Sequence, residues 1–165
     1  MADVDGGRVE GLCFKKLHEP YRPAVRAWRK YKVRTTTEAV VGAVTSSLTA
    51  PRTLLLGRYD TTGRLRYTGR STTLPQATSR TVGAHLTAPD GEHPWQGRTF
   101  SAGWGTRDTL DAVLVRPDVV MEVAIDVARD AGGRWRHPVR AHRVRLDTGI
   151  DDVPLFDETD GRPPS

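Results

Sequence analysis

The chain has 165 residues, 37% hydrophobic and 27% charged, with a formal net charge of +5. That composition suits one domain, or one domain with a fragment attached, around a single modest core, and it excludes a disordered chain. The charge and a pI near 9.8 favour a polyanionic partner, and the lone Cys13 excludes an internal disulfide or a zinc cluster built from cysteines.

The opening MADVDGGRVE has neither an apolar core nor a basic lead, so no secretion signal is expected. No stretch reaches bilayer length. The expectation is a soluble cytoplasmic protein.

Residues 9–14 read as a strand and 16–26 as a loop broken by Pro20 and Pro23. Alternation from 28 to 33 predicts a second strand, with 35–37 as a linker. The valine-rich run 39–45 and TLLLGRY at 53–59 predict two more strands. Asp60-Thr61-Thr62-Gly63 reads as a turn, with Gly63 at a positive φ and 64–69 as the return strand. A helical pattern spans 74–86, with Thr73 as N-cap, Pro75 in the first turn, and Leu74, Ala77, Val82 and Leu86 facing inward. Residues 87–111 form a long irregular stretch. A short strand at 113–115, a strong one at 119–127, a turn at 130–133 and a final strand at 135–146 interrupted by Pro138 complete the pattern. The segment 151–165 reads as an acidic disordered tail. No internal repeat is evident.

Several strands with one helix between the third and fourth long ones suggest a mainly β fold. The best fit is a five-stranded Greek-key barrel of the oligonucleotide-binding (OB) type, preceded by two further strands.

Charge is unevenly placed. Residues 134–145 carry five arginines, two histidines and no acid, whereas 151–160 carry five acids and no base. All four lysines, Lys15, Lys16, Lys30 and Lys32, lie in the first 32 residues. A lysine ammonium is a compact charge suited to a phosphate oxygen. Alternation would set Lys30 and Lys32 on one face, with Trp28 beside them.

Glu10-Gly11-x-x-x-Lys15, Trp28-x-Lys30-x-Lys32, and Arg136-His137-Pro138 followed by Arg143-Val144-Arg145-Leu146-Asp147 stand in this order. Together they resemble motifs IV, V and VI of the bacterial ATP-dependent DNA ligases. The resemblance covers roughly residues 8 to 150. It implies an OB domain at 35–150 after a remnant of the adenylation domain at 1–34. It further implies a metal-binding role for Glu10 and nucleotide-phosphate contacts by Lys15, Lys30, Lys32, Arg145 and Asp147. ATP and Mg2+ are the implied cofactors, and DNA is the implied partner.

In that family a Lys-x-Asp-Gly lysine attacks the α-phosphate of ATP. None of the four lysines here stands in that context, and only nine residues precede Glu10. The expectation is a chain that cannot adenylate itself and is complemented by a separately encoded adenylation half. Thr148 stands where motif VI usually has lysine, and Ala24 where glycine often follows Tyr-x-Pro.

As a DNA-gripping module, the chain would use Arg136, Arg140, Arg143 and Arg145, with Arg58, Arg64, Arg66 and Arg70 on the hairpin. Other readings are a ligase with its nucleophile supplied in trans, and an inactive remnant. The pairs His137/His142 and Cys13/His18 lack a metal-site signature, and His137 is expected to pack or cap. Glu122 and Asp126 share a strand face and are expected to salt-bridge the arginines at 134–145. Trp95 and Trp104 either stack on bases or cover the barrel end.

Overall fold

The structure, a computed structural model, describes residues 11–14, 29–32, 35–102, 107–126 and 128–158, the first two segments by their backbone alone. The chain divides into two units, Met1–Arg34 and Thr35–Ser165. In the first, Gly11–Phe14 (β1) and Arg29–Lys32 (β2) pair antiparallel, with Cys13 opposite Lys30 and Gly11 opposite Lys32.

In the second unit the β-branched run extends further than its valines suggest. Thr35–Ser46 forms β3, so the expected linker at 35–37 is strand. Pro51–Tyr59 (β4) and Leu65–Arg70 (β5) follow as a hairpin, and Gly63 in its turn takes φ 78° as expected. After Gln76–Gly83 (α1) come the short Phe100–Ser101 (β6) and Thr109–Leu110 (β7), which pair with each other. Ala112–Leu114 (β8), Val120–Ile125 (β9) and Arg140–Val144 (β10) complete the set.

The main sheet runs β10-β9-β3-β4-β5, with β8 joining the edge of β3 beyond β9. A parallel bridge between Ser71 and Val139 joins its two ends. Thr72 N–H donates to the Val139 carbonyl at 2.8 Å, and Val139 N–H to the Arg70 carbonyl at 2.9 Å. Closure of the third long strand onto the fifth, with a helix between the third and fourth, is the OB barrel.

The helix is shorter than its apolar pattern. Pro75 is the N-cap, without a side-chain cap bond, and Thr73 lies outside. Ala77 is exposed; Ser79 is buried in its place because its hydroxyl donates to the Pro51 carbonyl at 2.7 Å. Leu74, Val82 and Leu86 enter the barrel core with Val41, Leu54, Met121 and Ile125.

A second apolar cluster lies on the outer face of the same strands. Val40, Ala43, Leu55, Leu65 and Val120 pack there with Trp95, Phe100 and Val153. Trp95 is 2% exposed, and its indole N–H donates to the Leu65 carbonyl at 2.8 Å. The ring needs two glycines beneath it: a Cβ on Gly42 or Gly57 would stand 2.3 or 2.8 Å from ring carbons. Of the two readings of Trp95, cover for the barrel is correct; Trp104 lies outside the described residues.

His93 fixes the approach of this loop. Its Nδ1 accepts the Trp95 N–H at 2.9 Å, which leaves Nε2 to donate to the Val115 carbonyl at 2.9 Å. Burial holds this imidazole below its ordinary pKa, partly offset by its backbone hydrogen bonds.

The C-terminal segment departs from expectation. Through Glu158 it is packed chain, since Val153 and Phe156 are buried. Phe156 N–H donates to the Tyr59 carbonyl at 2.9 Å, and Arg129 donates to the carbonyls of Phe156 and Glu158 at 3.1 and 2.9 Å. Acidic composition hid two apolar anchors in the sequence. Residues 159–165 lie outside the described residues.

Trp95→Ala is expected to cost about 3–5 kcal/mol of stability in a urea melt, and Gly42→Ala about 1–3 kcal/mol by overpacking. The neutral His93 also sets a pH dependence. Its folded pKa lies below the unfolded value of about 6.5, so stability is full above that pH and declines as pH falls below it. His93→Gln should flatten the melting temperature between about pH 6.5 and 5; an unchanged slope would refute the role.

Candidate nucleic-acid interface

The β4–β5 hairpin and the loop after β9 stand side by side, and a cleft opens between them. Tyr67, Gly69 and Arg70 line one wall, and Arg134, Trp135, Arg136, His137 and Pro138 the other, with Ser101 and Asp130 at the rim. Trp135 N–H donates to the Thr68 carbonyl at 2.8 Å, which ties the loop to β5. Burial raises the pKa of Tyr67, and the cations of Arg70, Arg134 and Arg98 oppose that rise. The phenol therefore stays neutral at physiological pH. Arg136 and His137 are exposed and Arg70 is partly so. The cleft's one carboxylate, Asp130, already takes the Arg134 guanidinium at 2.9 Å and the N–H groups of Gly132 and Arg134.

A second cluster forms on the outer face of β3, β9 and β10. Glu38 and Glu122 stand directly opposite each other in the β3–β9 register, a repulsive arrangement for two carboxylates. Arg145 resolves it. Its Nη1 donates to Glu38 Oε1 at 2.8 Å and to Glu122 Oε2 at 3.2 Å. Its other edge meets Asp147 bidentately, Nε to Oδ1 at 2.9 Å and Nη2 to Oδ2 at 3.1 Å. The hydrogen bond to Asp147 is the main cause that raises the Arg145 pKa, and the same bond lowers that of Asp147. Arg143 reaches Glu122 at 3.3 Å, and His142 lies 3.9 Å from it.

The expected pairing of Glu122 with the C-terminal arginines is present. Asp126 lies 4.0 Å from His137. Arg145 and Asp147 are brought together, whereas Glu38, which completes their cluster, was not foreseen from the sequence. Its signal was only a lone acid in a β-branched run.

Arg58 is a correction. It was expected to face DNA, but it is fully buried. Strand alternation points it inward with Leu54 and Leu56. Its Nε and Nη2 each donate to the Glu38 carbonyl at 3.0 Å, and its guanidinium lies 5.3 Å from the centroid of the Trp135 ring. Arg64, Arg66, Arg140 and Arg143 are exposed as expected. Glu10, Lys15 and Trp28 lie outside the described residues, and Lys30 and Lys32 are placed only by the β2 backbone. Among the described residues no group of three or more His, Cys, Asp and Glu side chains could hold a metal ion, and no helix is long and apolar enough to cross a membrane.

The strand order, the bridge between the sheet's two ends and the single helix match the OB type of fold. Comparison with known proteins carries the assignment further. DNA ligase C2 of Mycolicibacterium smegmatis is 30% identical over 164 residues, which is 88% of this chain and 46% of that protein. DNA ligase C of Mycobacterium tuberculosis is 30% identical over 165 residues, 89% of this chain and 45% of that protein. Among solved structures, the ligase domain of M. tuberculosis LigD superposes with a TM-score of 0.58 at 27% identity, covering 88% of this chain and 47% of that one. A mycobacterial DNA ligase D complexed with ATP and MES gives 0.55 at 26%, covering 83% and 44%. No family model matches. The chain is similar over most of its length to these bacterial DNA ligases, and it spans about half the length of the curated relatives it matches.

If Arg145 neutralises the Glu38–Glu122 pair, Arg145→Gln lowers the melting temperature, and adding Glu122→Gln recovers part of the loss. A double-mutant cycle with zero coupling would refute the bridge.

Proposed function

We propose that this chain serves as the C-terminal portion of a DNA ligase, gripping duplex or nicked DNA through its barrel while the nucleophilic lysine comes from another segment. The observation that carries this is the coincidence of ligase similarity over 88% of the chain with a cleft on the barrel's hairpin face lined by Arg70, Arg134 and Arg136 against the single lining carboxylate of Asp130. Arg70, Arg136, Arg140 and Arg143 are suited to phosphate oxygens by charge and exposure. Contacts of this kind position a duplex without reading its sequence, and they weaken steeply with salt.

ATP, when bound, supplies the adenylyl group in this reading. The side chains suited to its phosphates are Lys15, Lys30, Lys32 and Arg145, with Asp147 orienting Arg145 and Glu10 as the metal ligand. The described residues fit that role at Arg145, whose fork already engages carboxylate oxygens at hydrogen-bond distance. Its work would be to exchange Glu38 and Glu122 for phosphate oxygens and so place a fixed positive charge beside the departing pyrophosphate. The acids it leaves would face each other again, which favours its return.

The sequence contains no Lys-x-Asp-Gly. This favours a second reading, a DNA-binding module without ligase chemistry of its own. One experiment separates the two. With labelled ATP and magnesium, no label is expected on this chain alone. Nick sealing is expected only when a ligase segment bearing Lys-x-Asp-Gly is added, and Arg145→Ala should slow that sealing by about 10²-fold or more. DNA binding without sealing in any combination would leave the module reading. Label on this chain alone would overturn both.

A further inference from the structure

Two turns of the barrel carry the same pattern, Asp-x-x-Gly-Arg-apolar-Arg: Asp60-Thr61-Thr62-Gly63-Arg64-Leu65-Arg66 and Asp130-Ala131-Gly132-Gly133-Arg134-Trp135-Arg136. They also fold alike. The Asp60 N–H donates to the Arg64 carbonyl at 2.9 Å and the Asp130 N–H to the Arg134 carbonyl at 2.7 Å. In both, the glycine N–H returns to the aspartate carbonyl at 3.0 Å. Gly63 and Gly133 take φ 78° and 77°. Each aspartate Oδ1 accepts the N–H of the residue two on and of the arginine four on. The apolar residue, Leu65 or Trp135, is buried, so the arginines on either side of it are both turned outward.

One side chain lies between the turns. The Arg66 guanidinium sits 5.0 Å from the centroid of the Phe156 ring, and a Cβ on Gly133 would stand 3.3 Å from the same ring. A third cation arrives from the long loop: Arg98 lies 5.7 Å from the centroid of Tyr67 and 5.5 Å from that of Phe100. Burial, and then the charges of Arg134 and Arg66, depress its pKa. No carboxylate pairs with Arg98 among the described residues. Asp60 and Asp130 each give Oδ1 to backbone N–H groups of their turns, while Asp130 Oδ2 holds Arg134 through Nε and Nη2 at 2.9 Å and Asp60 Oδ2 lies 3.6 Å from Arg66 Nη1, so a phosphate would have to displace or share these carboxylate contacts.

We propose that Arg66, Arg98 and Arg134 form a clamp for the phosphodiester backbone of nucleic acid, with Phe156 as the brace that sets the spacing of the two turns. The proposal rests on the DNA-binding reading above and gives it a location. Guanidinium forks with rigid roots suit phosphate oxygens. Arg98 and Arg134 add to the arginines marked by the sequence, and the brace gives the acidic C-terminal segment a positioning role.

The test is anisotropy of a labelled nicked duplex with the full chain between about 50 and 200 mM salt, alongside melts of each variant. Arg98→Gln and Arg134→Gln should each weaken binding several-fold and reduce the log–log salt slope by about 1. Arg80→Gln on α1 should change neither. Phe156→Ala should weaken binding, and Phe156→Leu should restore most of it. If the native chain binds with a steep salt slope while Arg98→Gln and Arg134→Gln behave like Arg80→Gln, the clamp is wrong and the DNA-binding reading survives. If the native chain binds no duplex, both fall. Competition by polyglutamate as effective as by unlabelled duplex would also overturn the clamp, because it would show no preference for phosphate.

Discussion

Strand β3 hydrogen-bonds to β4 along one edge and to β9 and then β8 along the other, and most of its length is buried on both faces. A barrel strand ordinarily shows one face to water. Here the outer face carries Val40 and Ala43, and something must cover it. The long loop supplies that cover through Trp95, and the C-terminal segment adds Val153. Both cover elements also reach the hairpin face: the loop brings Arg98 beside Tyr67, and the C-terminal segment brings Phe156 beneath Arg66. The basic face is therefore a consequence of how the outer side of β3 is shielded.

The same strand separates two fates for arginine. Inward from β3, Thr37 and the Glu38 carbonyl receive Arg58, which is hydrogen-bonded inside the barrel. Outward, the Glu38 carboxylate receives Arg145. One residue thus anchors a structural arginine with its backbone and a partly exposed arginine with its side chain. Removing Arg58 would leave the Glu38 carbonyl and Thr37 hydroxyl without these donors inside the barrel. Arg145 lies nearer the surface, its side chain 19% exposed among its carboxylate partners.

The barrel was legible because its strands are rich in β-branched residues and its hairpin turn has a glycine at the required position. Strand order and the helix between the third and fourth long strands followed from that. Three features were not legible for physical reasons. Arg58 carries no mark of burial, since inward direction depends on register. Ser79 takes an inward place on α1 because a carbonyl awaits it, which an apolar pattern cannot show. Phe156 sits among acids, and net charge masked its contact with the barrel. The paired Asp-x-x-Gly-Arg-x-Arg turns were written in the sequence throughout; lying far apart in the chain, they become neighbours only when the barrel closes.

The most direct measurement is an NMR titration of the arginine Nε–H resonances of the full chain with a nicked duplex. The resonances of Arg66, Arg98, Arg134 and Arg136 should move together and in a salt-dependent way, while those of the buried Arg58 and of Arg80 stay still. Movement centred on the α1 side, or no movement at the hairpin face while duplex is bound, would contradict a basic barrel face built to hold nucleic-acid phosphates.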